Sequence, residues 1–74
     1  MNAHDAVIEM LNDAGMSSRQ AAKALGRSPG YLTHITNGTS TPNANTLAAV
    51  ADVCGYDLVI RRRINDQDII IDPE

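Results

Sequence analysis

Residues 16–38 read MSSRQAAKALGRSPGYLTHITNG, and this stretch decides the fold. Ser17 and Gln20 stand at the S-x-x-Q spacing of a capping box, in which hydroxyl and amide satisfy orphan backbone donors at a helix start. Ala21, Ala22 and Leu25 follow as a narrow apolar stripe, and Gly26 supplies a left-handed stop. Ser28-Pro29 then starts a second helix over residues 29–37, as N-cap and proline at the first helical position. Leu32 and Ile35 face inward from that second helix, and Asn37-Gly38 ends it. The two small alanines matter because steeply crossing helices need side chains that let their backbones approach.

A helix, a break of a few residues containing glycine, and a second helix form a helix-turn-helix arrangement. With S-x-x-Q-x-A-x-x-L-G over residues 17–26, I-x-N-G over residues 35–38 and P-x-x-x-T-L over residues 42–47, the sequence resembles the phage-repressor (Cro-like, XRE) helix-turn-helix proteins. The resemblance runs from about Val7 to Leu58 without a gap. It implies binding to double-stranded DNA, with the second helix in the major groove and the first crossing the backbone. Carried over position by position, the base-reading positions fall on Pro29 and Gly30 and then on Thr33 and His34, with Ser28 at the helix start. Family members often place Gln, Arg or Ser at the first two. Pro29 and Gly30 have no side-chain donor, which moves readout towards Thr33 and His34; for His34 a phosphate contact or plain exposure stays open. The resemblance also implies backbone contacts from Ser18, Arg19, Lys23, Arg27 and Tyr31, and from Asn37, Thr39 and Ser40 in the following loop.

The net charge of the 74-residue chain is −3, which at first sight argues against nucleic acid. Its distribution reverses that reading. Residues 1–15 carry Asp5, Glu9 and Asp13 and no Lys or Arg, whereas residues 16–51 carry Arg19, Lys23 and Arg27 and no acid. The end mixes Arg61, Arg62 and Arg63 with Asp66, Asp68, Asp72 and Glu74. With no Trp or Phe and two Tyr, the core is aliphatic and thin, so association with a second copy is expected. No apolar run reaches the ~20 residues of a membrane span and no leader pattern is present, so a soluble, cytoplasmic protein is expected. The single Cys54 excludes an internal disulfide framework and a cysteine-cluster zinc site.

Outside the motif, Asn2 caps a first helix over about Ala3 to Ala14. Its apolar face is Val7, Met10, Leu11 and Ala14, with Glu9 and Asp13 on the solvated side and Gly15 as the stop. His4 reads as an exposed first-turn residue. Asn43 caps a fourth helix over about Ala44 to Cys54, with Leu47, Val50, Ala51 and Cys54 as its stripe and Gly55 as its end. Cys54 reads as a small buried hydrophobe, there being no polarising neighbour in view. Leu58-Val59-Ile60 and Ile69-Ile70-Ile71, separated by Asn65-Asp66-Gln67-Asp68, read as a β-hairpin. Relatives more often continue into a fifth helix. The expected fold is therefore mainly α: a four-helix Cro/repressor-like helix-turn-helix domain over residues 1–56 with a β-hairpin appendage over residues 57–74.

A lone two-stranded hairpin is marginal in water, and both strands are apolar in consecutive positions. Leu58, Ile60, Ile69 and Ile71 are the expected dimer interface, and Arg61–Arg63 are expected to pair with the acids of the opposite strand, the alternative being that they lie along DNA flanks. Dimerisation also serves DNA binding, since few cations per chain give weak contacts that a palindrome doubles. The leading expectation is a homodimeric repressor acting on a palindromic operator. The alternative is an antitoxin whose tail, Asp66–Glu74, binds a toxin protein; a purely protein-binding module is a third class. No catalytic constellation, phosphate loop or cofactor motif is present, so an enzyme is not expected.

Overall fold

The computed structural model describes residues 1–73; Glu74, the last of the tail's acids, lies outside them. In chain order the elements are α1 (Ala3–Ala14), α2 (Ser18–Ala24), α3 (Thr33–Thr36), α4 (Ala44–Cys54), β1 (Leu58–Arg61) and β2 (Asp68–Ile71). A four-helix unit with a C-terminal antiparallel hairpin is the architecture expected from the sequence.

Local chemistry sets the helix ends. The Asn2 side chain accepts from the Asp5 N–H, and that of Asn43 accepts from Thr46 N–H. At the start of α2 both halves of the capping box form: Gln20 N–H donates to Ser17 Oγ at 3.1 Å, and Ser17 N–H to Gln20 Oε1 at 2.8 Å. Gly26 ends α2 at φ 72°, where Gly26 N–H donates to Lys23 O and Arg27 N–H reaches back to Ala22 O. That pair of bonds needs a left-handed residue between them, which glycine adopts without a Cβ clash. The same bond pair closes α1 on Leu11 and Asn12, and α4 on Ala51 and Asp52.

The helices enclose one apolar cluster of Val7, Met10, Leu11, Ala21, Ala22, Leu32, Ile35, Val50 and Ala51, with Met16, Leu25, Leu47 and Cys54 packed against it. Leu32, Val7 and Val50 are its largest fully buried side chains. No polar or charged residue is buried among the described residues. α1 and α2 each pack on α3 and α4, so the last two helices are shared supports. Ala14, assigned from its spacing to the apolar face, is exposed, because it is the last residue before the αL turn at Gly15.

Two further expectations are corrected. The second helix of the motif does not run over 29–37: regular helix begins at Thr33, with Leu32 as an N-cap lacking any side-chain bond. Residues 28–33 instead form successive tight turns, Tyr31 N–H to Ser28 O and Thr33 N–H to Gly30 O. Gly30 costs about 1 kcal/mol in a helix relative to alanine, and tight turns replace the first helical turn there. His4, expected to be exposed, is half-buried and its Nε2 lies 3.1 Å from Thr36 O.

The hairpin pairs Leu58 with Ile71, Val59 with Ile70, Ile60 with Ile69 and Arg61 with Asp68. Each strand is one residue longer than its apolar run, and the added pair is ionic: Arg61 Nε and Nη2 donate to the two Asp68 carboxylate oxygens at 2.8 and 3.2 Å. The guanidinium holds the Asp68 carboxyl below its ordinary range. Of the three arginines expected to pair with acids, Arg61 does so, with the acid supplied by the turn-side end of β2; among the described residues Arg62 and Arg63 form no ion pair. β1 leans on α4, and Leu58 and Ile71 are half-buried. Tyr56, between α4 and β1, donates its hydroxyl to Asp13 Oδ2 at 2.8 Å, fastening the C-terminal end of α1; that bond raises the phenol's pKa.

Leu32 fills the centre of the cluster, so Leu32→Ala removes its contacts and leaves a cavity. A loss of about 2–5 kcal/mol is expected, comparable to the whole stability of a domain this size. Circular dichroism in a urea titration should show the helical signal lost at low denaturant or absent at the outset.

Candidate nucleic-acid interface

The outward side of residues 16–40 is polar because its apolar residues are spent inward. Leu32 and Ile35 are buried, which leaves Thr33 and His34 exposed between them on the opposite side of α3. Ser28, Pro29 and Gly30 are exposed on the tight turns that lead into it. Thr36 Oγ1 donates to Thr33 O, and Ser40 N–H to His34 O, so α3 is braced by its own loop.

Arg19, Lys23 and Arg27 are exposed, spaced four residues apart along α2 and its exit turn. With Gln20 and Pro29 they line one open depression of about 460 Å³. The structure thus gathers the motif's cations beside the turn that opens the second helix. Arg27 also lies over the Tyr31 ring, 5.1 Å from its centroid, a cation–π contact that fixes the turn. On its other side, Arg27 and Tyr31 border a second depression of about 260 Å³ with Leu25, Asn43, Asn45, Thr46 and Ala49. Arg27 is therefore common to both.

The remaining sequence candidates sit apart from this cluster in chemistry. Ser18 is half-buried in the first turn of α2. Asn37, Thr39 and Ser40 are exposed, but the loop spends its amides internally: Thr39 N–H donates to Asn37 Oδ1 at 3.0 Å and Ser40 N–H to His34 O at 2.9 Å. Their hydroxyls, not those two amides, face outward chemistry. Gln20 and the start of α4 (Asn43, Asn45, Thr46) were not singled out for this surface. Gln20 and Asn43 signal capping in the sequence, and their place beside the cations follows only from how α2 and α4 pack.

The match to a family model settles the motif: a helix-turn-helix model covers residues 7–60. The chain belongs to the helix-turn-helix family. This is the Cro/repressor-like, XRE type, whose members are DNA-binding transcriptional regulators. No curated protein and no solved structure matches the chain. No helix among the described residues is long and apolar enough to cross a membrane. In this helix-turn-helix protein the matched span takes in α1 from Val7 on, α2, α3 and α4 whole and the first three residues of β1, and β2 lies beyond it.

Cys54 stands away from the basic cluster. Burial, followed by the nearby Asp13 carboxylate, raises its thiol pKa, so thiolate is scarce at neutral pH. A thiol reagent at pH 7.5 should therefore modify Cys54 in the folded protein more slowly than free cysteine. Denaturant should bring the two rates together, as followed by absorbance of the released chromophore.

Proposed function

We propose that this helix-turn-helix protein is a transcriptional repressor that binds a palindromic operator as a homodimer. The observation that carries this reading is the gathering of Arg19, Lys23 and Arg27 with Pro29 around one open depression. It sits on a segment, residues 16–51, that holds no carboxylate. Phosphates fit that surface, and the acids of α1 do not compete for it. Thr33 and His34 read base edges, since they are the exposed side chains of α3 with donors and acceptors. Ser28, Pro29 and Gly30 contribute close backbone approach and groove shape, with Ser28 adding a hydroxyl. Arg19, Lys23, Arg27 and Tyr31 hold the DNA backbone, with support from Ser18, the hydroxyls of Thr39 and Ser40 and the side-chain NH2 of Asn37.

Leu58, Ile60, Ile69 and Ile71 share one face of the hairpin by register. Ile60 is 58% and Ile69 62% exposed, an apolar surface that a second copy covers in the proposed dimer. Two reading units then address half-sites about one helical turn apart. One observation favours the antitoxin alternative: Val59 and Ile70, on the opposite face, are also exposed at 40% and 53%. A dimer that uses one face leaves this second face for a toxin protein.

Selection from random duplexes with mobility-shift readout should enrich a palindrome; enrichment of no sequence overturns the regulator reading. Arg19→Ala and Lys23→Ala should each weaken binding to selected and unrelated DNA alike, and lower the slope of log K against log salt by about one. Ile69→Glu should shift sedimentation from dimer to monomer and weaken binding to the full palindrome more than to a half-site. A variant that sediments as a dimer would remove the hairpin from the interface.

A further inference from the structure

α3 is one turn long, and the accounting of its backbone carbonyls is complete. Thr33 O accepts from Asn37 N–H, His34 O from Ser40 N–H and Ile35 O from Gly38 N–H. These three bonds are local. The fourth carbonyl, that of Thr36, accepts from His4 Nε2 at 3.1 Å, across 32 residues of sequence. The imidazole lies against the turn at Gly38, where an added Cβ would stand 3.9 Å from Nε2. Its other nitrogen, Nδ1, is 3.4 Å from Asp5 Oδ1 on the next residue of α1. Among the described residues no other side-chain hydrogen bond joins α1 to α3.

We infer that His4 is a positioning residue for the DNA-reading turn: its Nε2–H fixes the C-terminal end of α3 against α1 and so sets how Thr33 and His34 are presented. A helix of four residues has too few internal bonds to hold its own orientation. Leu32 and Ile35 anchor its inner side, but two apolar contacts on one side leave rotation about them unopposed. The bond to Thr36 O opposes it from the far end. Donation to a carbonyl requires the proton on Nε2, so the ring is held as the Nε2–H tautomer when neutral, and the bond persists when Nδ1 is also protonated. The effect on DNA rests on the proposed reading role of Thr33 and His34, whereas the effect on α3 does not.

The test compares His4→Ala with His4→Gln, whose amide N–H reaches a similar point. In ¹⁵N NMR of the full chain, the His4 ring should show the Nε2–H pattern at neutral pH. In His4→Ala, exchange of the Asn37 amide, bonded to Thr33 O, should speed up roughly ten-fold, about the value of one hydrogen bond, while the Val50 amide in α4 changes far less. His4→Gln should restore most of the protection. Affinity for a selected operator should follow the same order, with affinity for unrelated DNA little changed. A neutral ring protonated on Nδ1, equal loss of protection at Asn37 and Val50, or a glutamine variant as perturbed as the alanine one would overturn the inference. Absence of operator binding by the unaltered protein would count against the proposed function, and the exchange measurement would still decide the role of His4.

Discussion

The close approach of helices over Ala21 and Ala22 is the constraint on which the rest of the structure depends. Both alanines are fully buried, and Leu32 from the neighbouring segment is buried with them. Ala21 and Ala22 are buried where α2 packs on α3 and α4, and protein interiors do not absorb extra carbons cheaply. The consequence is a core with little apolar mass, no aromatic ring and no buried polar group among the described residues. Such a core cannot specify every helix end by packing, so the ends are fixed by bonds instead. Three side-chain N-caps, three paired carbonyl closures and two long-range side-chain bonds, from His4 and Tyr56, do that.

The distinction between local and distant bonds explains what could be read from the chain. Asn2, Ser17 with Gln20, and Asn43 announce α1, α2 and α4 because a cap and its target lie three residues apart. The strands were legible for the same reason, as β-branched runs flanking turn residues. α3 was not. Ser28-Pro29 carries a start signal, yet with Gly30 next the chain makes tight turns until Thr33. What then holds α3 is burial of Leu32 and Ile35, which their spacing does announce, and a bond from His4, which leaves no pattern within ten residues. The pairing of an arginine with an acid across the hairpin was legible from charge, but Asp68, which reads as a turn residue, joins β2 only once the hairpin has closed.

The site divides along the same line. The spacing of Arg19 and Lys23 places them on one helix face, so their proximity was legible. Arg27 belongs to a turn, and its position over Tyr31, between α2 and the start of α4, depends on the crossing of helices. The loop of Asn37, Thr39 and Ser40 shows the opposite error. Its composition suggests free amides, but short polar side chains and a tight bend satisfy two of them internally. Polar composition indicates hydrogen-bonding capacity, and only geometry shows how much of it remains unspent.

Acid and base are separated in space as well as in sequence: α1 carries Asp5, Glu9 and Asp13, and α2 with its exit turn carries the three cations, with α3 and α4 between them. A body with its charge split in this way has a dipole, and a dipole near a polyanion feels a torque before it makes any contact. Approach with α1 foremost is repelled, and approach with α2 foremost is drawn in. The split itself, not the net charge, therefore acts as an orientation filter: residues 1–51 sum to zero, and the excess of −3 lies in residues 52–74. It lowers the number of long-lived, misoriented encounters, and it does so at distances beyond the reach of any side chain, out to the ~10 Å over which salt leaves charges visible to one another.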